Sequence, residues 1–267
     1  MPRLATSDGL QLAYDRTGEG PPLLLLHGSL LTRAIWRGLG YLAPLAEHHT
    51  VLRLDLRGHG RSDAPRDPTA YTQERFVQDV LDVLDAEGIE RSAVLGYSLG
   101  ARIALSTTLA APERISRMVS LAGSASAQSG AVDRIFFPGA IDTLRTAGVE
   151  EFCDRQGLTA DAPDQRDRAT REAFLRTDPL AMAALLTATD ATGAVPDRTL
   201  AACRTPALWM AGDRDTPRFE QSRRAAEIMP TGRFVPLPGR DHGSTLSPAA
   251  AVLDAVLPFL AEQEAAA

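Results

Sequence analysis

Gly96-Tyr97-Ser98-Leu99-Gly100 sets one serine between two glycines. An apolar run, Ala93-Val94-Leu95, leads into it, and a helix-forming stretch that includes Ile103 and Ala104 leads away. That context predicts a strand-to-helix turn with Ser98 at its apex. Glycines two before and two after let strand and helix pass closely, where side chains would collide. Such a turn lifts the serine oxygen to the carboxyl end of the strand. It also aims a helix N-terminus at any anion that forms there. The chemistry this suits is nucleophilic attack on an acyl carbon. A serine hydroxyl is a weak nucleophile and needs a positioned base, normally a histidine held by a carboxylate. Five histidines are available: His27, His48, His49, His59 and His242.

The elements that would position these groups show in the periodicity. Residues 10–14 alternate like a half-buried strand after an Asp8-Gly9 turn, which predicts an antiparallel hairpin at a sheet edge. Short apolar runs at 23–27, 51–55, 93–97, 118–122, 207–211 and 233–237 read as strands buried on both faces. Helical patterns lie between them at about 72–87, 99–110, 218–229 and 247–262. Pro112 and Pro230 close two of these, and Pro248 suits a first helical turn after Ser247. Strands alternating with helices argue for a parallel sheet covered on both sides. The alternation fails once, over roughly 80 residues between Gly123 and Pro206, too long for a structureless loop in a compact domain. That stretch predicts helices alone, and Asp178-Pro179 looks like an N-cap followed by proline at the first helical position.

Five motifs fall in one order: His27-Gly28, the loop Asp55-Leu56-Arg57-Gly58-His59-Gly60-Arg61-Ser62, the Ser98 turn, Gly212-Asp213-Arg214-Asp215, and Pro238-Gly239-Arg240-Asp241-His242. From about Gly9 to the C-terminus the chain resembles the capped α/β-hydrolase superfamily. The resemblance implies the α/β-hydrolase fold, a mostly parallel sheet with helices on both faces and a helical cap. Residues 1–125 and 201–267 would make the core, and 126–200 the cap. The family's chain order of Ser, Asp, His implies a catalytic triad of Ser98, Asp215 and His242. Its G-x-x-D pattern, with Pro217 downstream, favours Asp215 over Asp213, which would then serve the turn. The oxyanion hole would draw on the backbone N–H groups of Leu99 and Ser29. His27 would shape the loop carrying Ser29, and His59 would belong to a structural loop; His48 and His49 sit in a polar turn. Leu30 stands where relatives often have proline, and Ala101 where they often have glycine.

Around Ser98 and the 55–62 loop the similarity is to enol-lactonases, small-molecule esterases and carbon–carbon bond hydrolases. It implies cleavage of an ester or lactone of a small, largely apolar molecule. A lyase, cyclase or cofactor-free perhydrolase could use the same pocket, and a ligand-binding receptor could be built on the scaffold. Epoxide hydrolases and dehalogenases of this fold use an aspartate nucleophile, against which Ser98 argues. Tyr97, Phe136, Phe137 and Phe174 are the expected substrate contacts. Arg134, Arg145, Arg155 and Arg176 are cap candidates for a substrate carboxylate.

A length of 267 residues with 44% hydrophobic content suits one α/β domain with an insertion. The net charge of −6 argues against nucleic acid or an anionic membrane as partner. Every one of the 28 basic residues is arginine, and there is no asparagine, hence no N-glycosylation acceptor. No apolar run is long enough to span a bilayer, and the N-terminus lacks signal-peptide features. Cys153 and Cys203 have neither disulfide-framework nor metal-type spacing. Histidines are too few for a metal cluster, and Gly18-Glu19-Gly20 precedes a strand instead of opening a helix, so neither metal nor dinucleotide is expected. A cytoplasmic protein without cofactor, with a homodimer allowed, is the expectation.

Overall fold

The computed structural model describes residues 3–262. Eight strands form one sheet in the order β1-β2-β4-β3-β5-β6-β7-β8. They are β1 (Arg3–Ala5), β2 (Gln11–Thr17), β3 (Pro22–Leu26), β4 (Thr50–Asp55), β5 (Ser92–Tyr97), β6 (Ile115–Leu121), β7 (Ala207–Gly212) and β8 (Gly232–Leu237). β1 and β2 are antiparallel at one edge, and the six strands from β4 to β8 run parallel. The edge hairpin and every strand expected from the periodicity are present, but β8 is the far edge of the sheet, paired on one side alone, and is largely half-buried or exposed instead of buried on both faces; β1 carries no apolar signal of its own.

The unbroken leucines of β3 follow from its place between β4 and β5, where both faces are covered. Leu24 and Leu26 join the side that holds Phe76, Val80, Val83, Ile103 and Leu105. Leu23 and Leu25 join Trp36, Leu45, Val252, Val256 and Phe259 on the other. Each leucine so buried stabilises the fold by about 1.5–3 kcal/mol relative to exposure.

The covering helices are α1 (Ile35–Gly38), α2 (Leu42–Ala46), α3 (Gln73–Ala86) and α4 (Leu99–Ala110). Between β6 and β7 lie α5 (Ala131–Ile135), α6 (Ala140–Thr146), α7 (Gly148–Arg155), α8 (Gln165–Phe174), α9 (Pro179–Asp190) and α10 (Asp197–Ala202), with no strand among them. α11 (Arg218–Ile228) follows β7, and α12 (Ala250–Ala261) follows β8. Asp178 caps α9, its carboxylate accepting from the N–H groups of Leu180 and Ala181 at 2.9 and 3.0 Å. α12 begins three residues later than the periodicity suggests. The Arg240 guanidinium donates to the carbonyls of Thr245 and Pro248 and holds that stretch as a loop. Among the described residues no helix is long and apolar enough to cross a membrane.

Candidate active site

Ser98 sits at the carboxyl end of β5 with φ 53° and ψ −110°, a conformation that L-residues adopt under strain. The two flanking glycines make that turn possible. A Cβ on Gly96 would lie 2.1 Å from the Gly100 carbonyl oxygen, and one on Gly100 would lie 2.1 Å from the Leu26 oxygen. Helix α4 can therefore start directly over the ends of β3 and β5 only if both positions lack a side chain.

The loops after β7 and β8 bring two further groups to Ser98. His242 Nε2 lies 2.9 Å from Ser98 Oγ, and His242 Nδ1 lies 2.8 Å from Asp215 Oδ2. A carboxylate only accepts hydrogen bonds, so the ring proton is at Nδ1 and Nε2 accepts the serine hydroxyl proton. Asp215 is buried, and its position is set by backbone bonds to the Gly212 carbonyl and from the Phe219 N–H. Asp213 instead accepts from the Gly239 N–H at 2.7 Å and ties the two loops together. Ser98, Asp215 and His242 are thus brought together, while Asp213 is held in the turn.

The 55–62 loop holds the strand that precedes Ser29. His27 Nε2 accepts from the Leu56 N–H at 3.1 Å while Nδ1 donates to the Gly28 carbonyl. His59 Nε2 accepts from the Leu30 N–H at 3.1 Å while Nδ1 donates to the Arg57 carbonyl. Burial pushes the pKa of His27 down to about 4. Burial, aided by the neighbouring His27, pushes that of His59 down to about 3. Both rings are therefore neutral props that clamp residues 27–30, and Leu30 takes a positive φ of 60° inside the clamp. Ser29 and Leu99 border the same cavity as Ser98. Leu99 opens α4, so its N–H has no intrahelical acceptor.

That cavity, about 540 Å³ including space open to solvent, lies between the end of the sheet and helices α5 and α9. One wall is apolar: Val132, Ile135, Phe136 and Leu186. Polar side chains line the cavity too, Arg102, Gln128 and Arg218 among them. The lining as a whole is mainly apolar.

Three of the four expected substrate contacts lie elsewhere. Tyr97 is buried, and its hydroxyl donates to the His242 carbonyl at 2.7 Å, bracing the histidine loop from below. Strand alternation explains this, because Tyr97 points to the opposite face of the sheet from its neighbour. Phe137 and Phe174 stack on the fully buried Phe152, with centroids 5.3 and 6.3 Å apart, and form the interior of the helical insertion. Phe136 also touches Phe152 but borders the cavity. Of the cap arginines, Arg145 pairs with Asp142, Arg155 lies over the Phe137 ring, and Arg134 donates to the Ser129 carbonyl.

Arg102, Arg218 and Gln128 line the cavity without having been expected there. Arg102 carried a usable signal: it lies four residues after Ser98, on the same face of α4. Arg218 and Gln128 had none, because α11 and the loop before α5 meet only in three dimensions.

A parallel sheet with a strained serine at its switch to a helix, and a histidine and aspartate on the next loops, defines a class. The alpha/beta hydrolase fold family matches residues 21–140. A hydrolase of known structure from Pseudomonas aeruginosa PA01 is 30% identical, covers 98% of each chain and superposes with a TM-score of 0.86. The chain belongs to the α/β-hydrolase superfamily. The enol-lactonase from Burkholderia xenovorans LB400 is 28% identical over 98% of this chain and 100% of its own, with a TM-score of 0.85. Epoxide hydrolase 3 of Siraitia grosvenorii is 37% identical over 116 residues, 43% of this chain. The chain spans about a third of the length of such curated relatives, 36% in that case and 32% for a Mycobacterium tuberculosis protein.

Proposed function

We propose that this chain is a serine hydrolase that cleaves an ester or lactone of a small molecule with an apolar body. The carrying observation is the continuous hydrogen-bonded series from Ser98 through His242 to Asp215. Ser98 Oγ attacks the carbonyl carbon as its proton passes to His242 Nε2, and Asp215 stabilises the imidazolium. The oxyanion is met by the N–H groups of Ser29 and Leu99. Collapse breaks the bond to the leaving oxygen, which takes the proton from His242 and departs as an alcohol, or stays tethered in a lactone. Water, deprotonated by the same histidine, then releases the acid and restores Ser98. The helices between β6 and β7 act as a lid whose Phe136 side shapes the pocket. Likeness to the enol-lactonase and to the P. aeruginosa hydrolase over whole chains supports this assignment.

The test is hydrolysis of a p-nitrophenyl ester by wild type, Ser98→Ala, His242→Ala and the double variant. Triad members act as a unit, so each single change should lower turnover by on the order of 10⁶-fold and the double change should add little. A fluorophosphonate should label Ser98 and no other residue. Additive losses, or labelling elsewhere, would show that Ser98 is not the nucleophile.

A further inference from the structure

Eight arginines are buried among the described residues. Five of them, Arg33, Arg53, Arg57, Arg117 and Arg171, make ion pairs with carboxylates. Arg240 makes none, and its guanidinium is used up on loop carbonyls away from the cavity. The remaining two, Arg102 and Arg218, line the cavity beside Ser98.

Their partners are all neutral. Arg102 donates through Nη1 to the carbonyls of Ser124 and Ser126, both at 3.0 Å, and through Nη2 to that of Gly193 at 2.6 Å. Its Nε–H is buried with no acceptor. Arg218 donates to the side-chain oxygens of Gln221 and Gln128 at 3.0 and 2.7 Å. Asp215 attracts it through space but is engaged by His242, and Arg134 repels it. Burial, with Arg218 adding repulsion, depresses the Arg102 pKa to about 10, still far above neutrality. Two buried cations without an anion are costly, and a protein that pairs five of its other six buried arginines with carboxylates has left this charge for something outside the chain.

We propose that Arg102 and Arg218 receive a carboxylate of the substrate, so that the ester or lactone opened by Ser98 carries a free carboxylate beside its scissile group. The planar, two-oxygen carboxylate fits the fork of a guanidinium. Its place follows from helix geometry. Arg102 is one turn of α4 below Ser98, about 6 Å along the axis, so scissile carbonyl and carboxylate belong to one short acid. The apolar wall around Val132, Ile135 and Phe136 then faces the rest of the molecule. This inference rests on Ser98 being the nucleophile.

The test compares the mono-p-nitrophenyl ester of glutaric acid with the neutral p-nitrophenyl pentanoate, which has a chain of the same length. The acid ester should be preferred in kcat/KM by on the order of tenfold or more, mainly through KM. In Arg218→Gln that preference should collapse, while Arg218→Lys should restore part of it. Arg102 also ties down the chain at Ser124, Ser126 and Gly193, so its substitution is a weaker probe. Glutarate titrated against wild type should raise the melting temperature, and less so in Arg218→Gln. If the neutral ester is cleaved as well as the acid ester and glutarate produces no shift, the carboxylate site is refuted while the Ser98 assignment stands. If neither ester is cleaved and no fluorophosphonate label appears on Ser98, the hydrolase assignment fails and the substrate inference falls with it.

Discussion

Replacing Gly100 with alanine should disable the site from behind. The new Cβ would sit 2.1 Å from the Leu26 oxygen, 2.5 Å from the Leu26 carbon and 2.7 Å from the His27 oxygen. These are backbone atoms in a packed strand, so relief requires helix α4 and the end of β3 to part by about 1 Å. Alanine in place of glycine gains up to about 1 kcal/mol in helix propensity. Overpacking of this kind costs about 1–3 kcal/mol, and more where backbone must move, so the clash wins. A displacement of about 1 Å also carries the 27–30 loop and its Ser29 donor away from Ser98, and misplacement of that size costs on the order of 10²-fold in rate. Gly38→Ala is the control, because a Cβ there meets nothing within 4 Å. Thermal melts and steady-state hydrolysis read both effects. Gly100→Ala should melt several degrees lower and turn over about 100-fold more slowly, with Gly38→Ala near wild type. A Gly100→Ala protein with the stability and turnover of wild type would refute the argument that this close approach builds the site.

Asp215→Asn should lower turnover by roughly 10⁴-fold, the loss seen when a serine-protease triad aspartate is amidated. Asp213→Asn should have little effect, since an amide oxygen can still accept from the Gly239 N–H. Kinetics of the two purified variants decides it, and the reverse ranking would move the acid by two residues. Stability should fall as pH drops from about 6.5 toward 4, because the unfolded chain protonates His27 and His59 there while the folded chain keeps them neutral. Stability from these groups is complete above pH 6.5, and His59→Gln should flatten the slope in urea melts taken across that range. Phe136→Ala should shift the preferred substrate size by at most roughly 10–200-fold per group removed. Phe174→Ala, buried against Phe152, should leave the size preference intact and cost about 3–5 kcal/mol in stability.

Much of the architecture is written in local pattern. Sheet strands with both faces covered show as apolar runs, and the Gly96–Gly100 turn shows as small residues, because these constraints act within a few residues of the chain. The Ser98, Asp215 and His242 positions follow from motif order, since each sits at the end of its own strand and the sheet sets the spacing. The roles of the phenylalanines do not follow. Phe136 and Phe137 are adjacent and equally apolar, and what separates them is how short helices pack on Phe152. The chain holds 28 arginines, alike in composition. Five of the eight that are buried pair with carboxylates elsewhere in the chain, and two end beside Ser98 without one. Pairing of charges depends on distances between distant segments, so the tertiary structure alone decides which buried arginines find a carboxylate and which do not.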